Sequence, residues 1–197
     1  GGEFGIRGWI DGTDLNTGKQ VWRTYTIPGT NEPGNETWKD GKDRWKHGGG
    51  SVWETATYDA ESDTFYQGIG NAGPDWDPEY RPGDNKWAAS VLAISPSDGK
   101  IKWGYQYTPN DPYDFDEISE HPIVNVKVNG VDRKLVVHAA RNGFYYSLDR
   151  ANNLIRLYQD AGSFWLSAVI GSGTVLNNGF CSTPASAVTV STSASAM

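Results

Sequence analysis

Four kinds of side chain in this sequence have the chemistry of a site for a metal ion and a planar cofactor. Asn71, in Gly68-Ile69-Gly70-Asn71-Ala72-Gly73-Pro74, offers an amide oxygen to a hard cation. Asp114 and Asp116, in Asp111-Pro112-Tyr113-Asp114-Phe115-Asp116, stand two residues apart. In an extended segment both carboxylates leave the same face, and like charges held that close call for a cation or solvent between them. Trp53, after Gly48-Gly49-Gly50-Ser51-Val52, presents a flat aromatic face, and the glycines before it let backbone approach a bound object. Arg141 follows the apolar run Leu135 to His138, where a guanidinium can pair with a carboxylate or a ligand oxygen. Together these are the parts of a site for a metal ion and a planar cofactor.

Taken singly, each has a structural alternative: an Asx turn for Asn71, a solvated acidic loop for the Asp pair, a core residue for Trp53, an ion pair for Arg141. Other chemistries find less support. His47, His121 and His138 lack zinc-ligand spacing, there is no Cys pair, and neither Gly-x-Ser-x-Gly nor a phosphate loop occurs. A net charge of -7 and a pI of about 4.9 argue against nucleic acid or an anionic membrane surface as partners. No run approaches the roughly 20 apolar residues of a membrane span. The single cysteine, Cys181, excludes a disulfide within this chain.

The elements that must position these residues read as strands. Short β-type runs fall at Gln20 to Ile27, Thr64 to Ile69, Ala88 to Ile94, Ile101 to Tyr107, Ile123 to Val128, Leu135 to His138 and Phe144 to Leu148. Turn residues separate them and no long 3.6-residue apolar pattern appears, so the chain is all-β. A weak repeat runs through it: Asp14-Leu15-Asn16-Thr17-Gly18-Lys19-Gln20-Val21-Trp22 and Ser97-Asp98-Gly99-Lys100-Ile101-Lys102-Trp103 share Gly-Lys, two residues and Trp. Asp59 and Asp149 head looser copies, giving a period of about 40 to 50 residues, that of a four-stranded propeller blade. Three or so blades cannot close a ring, so further blades are implied.

Character changes near Asn153. Eight of the nine Trp lie before it, whereas residues 154–197 carry only Arg156 and Asp160 as charges and are rich in Ser, Thr and Ala. We expect domains at 1–153, a partial propeller, and 154–197, a divergent tail with loose order toward its end and one strand at Phe164 to Ile170. The opening Gly1-Gly2-Glu3 has neither a start methionine nor a leader-like pattern, which reads as a cut inside a larger gene product.

Gly2-Glu3-Phe4-Gly5-Ile6-Arg7-Gly8, Gly48-Gly49-Gly50-Ser51-Val52-Trp53, Gly70-Asn71, Arg81-Pro82-Gly83-Asp84-Asn85-Lys86-Trp87, Thr108-Pro109-Asn110-Asp111 with Asp114, and Arg141-Asn142-Gly143 together resemble the quinoprotein alcohol dehydrogenases of the methanol and ethanol type. Order and spacing agree over roughly residues 1–153, which is more specific than any single motif. The resemblance implies about three blades of an eight-bladed β-propeller that uses pyrroloquinoline quinone (PQQ) and a metal in the periplasm, with a small alcohol as substrate and a cytochrome c as electron acceptor. By matching position, Glu3, Asn71 and Asp114 resemble the metal ligands, and Asp114 also the catalytic base. Trp53 resembles the residue under the quinone ring, Ser51 the hydroxyl contacting the quinone, and Arg141 the arginine beside its carbonyl oxygens. Backbone around Gly1 and Gly2 is implied to approach the cofactor.

Asp116, two residues after the expected base, resembles the extra carboxylate of the lanthanide-dependent branch. A further anionic ligand suits a lanthanide(III) ion better than Ca2+ by charge balance. The adjacent-cysteine disulfide that the family carries on the other face of the quinone has no counterpart in this chain. We therefore expect the 197-residue chain alone to be inactive. The alternative reading is a non-catalytic propeller-like binding or assembly module that keeps the scaffold.

Overall fold

Loops of very unequal length join the strands of this chain, and that inequality decides where a site can form. The computed structural model describes residues 4–39, 41–128, 130–151 and 155–160. Among these the strands are β1 (Trp9–Thr13), β2 (Gln20–Tyr25), β3 (Thr57–Asp59), β4 (Thr64–Ile69), β5 (Ser90–Ile94), β6 (Ile101–Gln106), β7 (Ile123–Val128), β8 (Val131–Ala139), β9 (Phe144–Asp149) and β10 (Ile155–Asp160). The only helical pieces described are short 3-10 turns such as Asn35–Thr37 and Arg44–His47, and none is long and apolar enough to cross a membrane. The expected strand at Phe164 to Ile170 lies outside the described residues.

The chain divides into two compact units, Gly1–His121 and Pro122–Met197. In the first, β1 pairs with β2, and β3-β4-β5-β6 form an antiparallel meander in sequence order. The second holds the same arrangement, β7-β8-β9-β10. Four-stranded meanders in sequence order are the blade unit of a propeller, and the all-β partial propeller expected from the sequence is what the chain forms.

All four repeat aspartates cap tight turns. Asp14 Oδ1 accepts from the Asn16 and Thr17 amides, Asp59 Oδ1 from Glu61, Asp98 Oδ1 from Lys100 and Asp149 Oδ1 from Ala151. They are not equivalent, however. Asp98 and Asp149 sit between the third and fourth strands of their sheets, whereas Asp59 sits between the first and second. The Asp59 turn is therefore not a copy of the blade repeat, and the expected period mixed two kinds of hairpin. Asx turns suit any tight hairpin, which is why the pattern misled.

The Gly-Lys-x-x-Trp repeat has a packing cause. Trp22 lies where a Cβ on Gly99 would sit, 2.4 Å from the ring, and its Nε1 donates to Pro96 O at 2.9 Å. Thr24 Oγ1 adds a bond to Gly99 O at 2.5 Å, and Trp22 stacks on Phe65. The β1–β2 hairpin is thereby docked on the β5–β6 turn. Strand β5 is buried at every position, and its Leu92 and Ile94 form a core with Ile69 of β4, with Val52, Phe65, Trp87 and Ile101 packed around it. A strand covered on both faces reads as a continuous apolar run, as Ser90-Val91-Leu92-Ala93-Ile94 does.

Within β3–β6, strands β4 and β6 run parallel to one another, so both end at the same rim of the sheet. The tight Asp59 and Asp98 turns close the opposite rim. Long connections leave the first: residues 70–89 after β4 and 107–122 after β6. Asn71, Asp114 and Asp116 are on these connections, and Ser51 and Trp53 are on the still longer segment between β2 and β3.

Candidate functional site

Residues 48–51 lie between two other segments and are stitched to both. Gly49 bridges to Arg7 on one side and Ala72 on the other. Gly8 N donates to Gly49 O at 2.7 Å and Gly49 N to Ile6 O at 2.9 Å, while Gly50 N donates to Asn71 O at 2.8 Å and Gly73 N to Gly48 O at 2.9 Å. A Cβ on Gly49, whose φ is 75°, would stand 2.7 Å from Asn71 O, and one on Gly50 would meet the Ile27 side chain at 2.6 Å. The glycines thus bring backbone close against neighbouring backbone and side chains of the protein. Their effect on the site is indirect: they fix where Ser51 and Trp53 emerge.

Gly70 is the meeting point. Its amide donates to Ser51 O at 2.9 Å, and a Cβ there would lie 2.7 Å from Cζ3 and 2.9 Å from Cη2 of Trp53. The Trp53 indole therefore rests on the Gly70 backbone, with about half of the residue exposed (51%). Ser51 is buried, and its Oγ has no hydrogen-bond partner among the described residues. A buried hydroxyl without a partner is costly, and it is a ready donor to an oxygen placed beside it.

One residue further, Asn71 is buried and its amide is oriented. Nδ2 donates to Ala72 O at 3.0 Å and to Asp75 Oδ1. Two acceptors at one terminal atom require the NH2 there, which turns Oδ1 away from both. The Asn71 backbone amide donates to Asp116 Oδ1 at 3.0 Å. Asn71 and Asp116, well separated in sequence, are thereby neighbours.

The Asp114 to Asp116 segment is not extended, contrary to its sequence reading. Asp114 and Asp116 both have left-handed backbones, with φ of 58° and 51°. Asp111, buried at the start of the loop, causes the bend: Oδ1 accepts from the Tyr113 amide at 2.9 Å and Oδ2 from the Phe115 amide at 2.7 Å. The loop then returns along β4, where Glu117 bridges to Ile69 and a Cβ on Gly68 would meet Glu117 O at 2.6 Å. That return is what sets Asp116 against Asn71.

Arg81 binds the two loops together, and nothing in the sequence assigned it a role. It is fully buried. Nε donates to Pro74 O at 2.9 Å, Nη1 to Asn85 Oδ1 at 2.8 Å and Asn110 Oδ1 at 3.0 Å, and Nη2 to Asp75 O at 3.1 Å and Asp111 O at 2.6 Å. All five guanidinium donors are used. Burial draws its pKa down from the usual arginine value, opposed by the charges of Asp111, Asp75 and Asp77. Its motif, Arg-Pro-Gly-Asp-Asn-Lys-Trp, was the one signal available.

Arg141 belongs to the second unit and is exposed just after β8. It stands two residues beyond the second strand of its sheet, the position Asn71 occupies in the β3–β6 sheet. Gly1, Gly2 and Glu3 lie outside the described residues. Among the described residues no three His, Cys, Asp or Glu side chains converge on a metal position. The expected ligand set instead draws on the Asn71 amide and on Glu3. His121, buried, has Nε2 3.1 Å from the Tyr107 hydroxyl.

Residues 3–153 match the PQQ family model described as the glucose/ethanol/alcohol dehydrogenase β-propeller domain. The chain is 41% identical over 169 residues to a lanthanide-dependent methanol dehydrogenase of Methylorubrum extorquens, a match covering 77% of this chain and 28% of that protein. It is 41% identical over 165 residues to the quinohemoprotein alcohol dehydrogenase ADH IIB of Pseudomonas putida, covering 77% of this chain and 24% of that protein. A solved europium-containing methanol dehydrogenase superposes with a TM-score of 0.76 at 37% identity, over 81% of this chain and 31% of the other. The chain spans about a quarter of the length of the curated relatives it matches. It belongs to the PQQ-type glucose/ethanol/alcohol dehydrogenase β-propeller family.

Proposed function

We propose that the complete protein containing this chain oxidises a primary alcohol to an aldehyde with PQQ and a metal ion, and that this chain supplies part of the site. The observation that carries the proposal is the convergence on Gly70 and Asn71. A half-exposed indole lies on Gly70, the Gly70 amide is bonded to the carbonyl of Ser51, whose own hydroxyl has no partner among the described residues, and an oriented amide with an adjacent carboxylate follows at once. These residues fit a planar quinone with polar edge oxygens and a hard cation, for which amide and carboxylate oxygens are the suitable donors.

When bound, the quinone would supply a two-electron acceptor for the alcohol's hydride and the metal would supply Lewis acidity. Every other task falls to side chains. Trp53 carries one face of the ring, and Ser51 donates its buried hydroxyl to a quinone oxygen. Asn71 Oδ1, Asp114 and Asp116 would hold the cation, and the family resemblance adds Glu3 to the ligands and Gly1 and Gly2 to the cofactor contacts. Asp114 takes the alcohol proton; the family resemblance alone gives Arg141 the part of stabilising negative charge on the acceptor.

Lanthanide(III) is proposed over Ca2+ on the charge of Asp116. A periplasmic location and a cytochrome c acceptor are proposed on the family resemblance alone. The test is reconstitution of the complete polypeptide with PQQ and either ion, read by dye-linked ethanol oxidation and by quenching of Trp fluorescence. Quenching without turnover would favour the binding-module alternative, neither would overturn the site, and equal or higher activity with Ca2+ would sink the lanthanide preference.

A further inference from the structure

We infer that Asp75 is a positioning residue for the metal site, acting through the orientation of the Asn71 amide; the inference rests on the reading of Asn71 as a ligand. An asparagine amide has two orientations of nearly equal shape, and only one presents oxygen to a cation. The orientation is therefore a property of its neighbours. Ala72 O and Asp75 Oδ1 both accept from Asn71 Nδ2. Turning the amide over would set Oδ1 against a carbonyl oxygen and a carboxylate at once, replacing two attractions by two repulsions. The carboxylate makes the stronger of the two bonds, since an ionised acceptor roughly doubles a hydrogen bond.

Asp75 is itself held. Arg81 Nη2 donates to Asp75 O at 3.1 Å and Nε to Pro74 O at 2.9 Å, so the segment that carries the carboxylate is fixed to a fully buried side chain. The same guanidinium holds Asp111 O at 2.6 Å, and Asp111 shapes the loop that carries Asp114 and Asp116. Outer groups that orient a metal ligand govern affinity although they never touch the ion.

Removal of Asp75 also removes a negative charge from the neighbourhood of a cation, and that effect must be separated from orientation. Asp75→Asn and Asp75→Ala delete the same charge, but only Asn keeps an oxygen to accept from Asn71 Nδ2. The experiment titrates Tb3+ into the complete metal-free polypeptide and reads sensitised luminescence, with Ca2+ affinity taken from competition. The expected result is a Tb3+ affinity about 10-fold to 100-fold weaker for Asp75→Ala, with most of the loss recovered in Asp75→Asn. Thermal melting of the metal-free forms checks that both variants are folded. Wild-type affinity in Asp75→Ala, or equal losses in the two variants, overturns the inference while leaving Asn71 as a ligand. Absence of Tb3+ binding to the wild type overturns the proposed function and this inference with it. If Asp75→Ala does not fold, Asp75→Leu takes its place in the comparison with Asp75→Asn.

Discussion

Replacing Arg81 with Leu removes five hydrogen bonds and one buried charge without opening a large cavity. Bonds to a charged group contribute about 1.5–3 kcal/mol each, so the gross loss is about 7–15 kcal/mol. Against it stands relief of the guanidinium's desolvation, which is several kcal/mol for an ion taken from water, and burial is indeed the dominant influence on Arg81. The remainder is set by the acceptors left behind. Asn85 Oδ1 and Asp111 O lie in fully enclosed surroundings, whereas Asp75 and Asn110 are partly exposed and can turn to water. We expect a net loss of about 3–5 kcal/mol, the range for breaking a buried charged system by removing one partner. Arg81→Lys keeps the charge but supplies three donors from a single point to five acceptors arranged around a plane, so it too should destabilise, by at least half as much. Urea unfolding of the complete polypeptide, followed by Trp fluorescence at unchanged m, measures both. A loss below about 1 kcal/mol for Arg81→Leu is at the level of an exposed pair and would refute the claim that Arg81 clips the two loops.

Gly70→Ala should destabilise the protein by about 1–3 kcal/mol through overpacking and weaken PQQ binding by displacing Trp53; unchanged PQQ affinity by fluorescence titration would count against Trp53 as the ring's support. Asp114→Asn should lower kcat about 10²–10⁴-fold as befits loss of a general base, and a loss below threefold in dye-linked turnover removes that role. The Lys100 side chain and amide hold the Asp98 carboxyl down to about 2, below its ordinary value. Its contribution is therefore full above the unfolded pKa of about 4 and lost as pH falls toward 2. Asp98→Asn should flatten the acid limb of a thermal-melt series between those values, and an unchanged limb contradicts it. The 197-residue chain alone should give no dye reduction with PQQ, metal and ethanol.

How far the sequence could lead depended on whether a residue's role lay in its own neighbourhood. Strands β4, β5 and β7 were legible because apolar runs bounded by turn residues describe them. Strand β1, Trp9-Ile10-Asp11-Gly12-Thr13, was not: Gly12 and Asp11 argue against a strand until the partner is known. A Cβ on Gly12 would lie 2.3 Å from the Trp22 ring, and Asp11 takes both Arg23 and Gln20 as partners across the hairpin. Strand β3 has three residues, too few for periodicity to register.

The site divides along the same line. Asn71, Trp53 and the Asp pair could be named because their side chains have the chemistry in themselves, and family spacing then gave them roles. Geometry was another matter, since the extended reading of Asp114 and Asp116 failed on a contact three residues upstream, the Asp111 carboxylate on two loop amides. The roles of Arg81 and Asp75 were hidden for a stronger reason. Three of the five acceptors of Arg81 are backbone carbonyls, which every residue carries, so no residue type marks them in a sequence. Asp75 matters through which end of an amide faces it, a distinction that a sequence of side-chain types cannot record. The ligands of such a site are legible as chemistry, while the groups that aim them become legible only once the loops have been brought together.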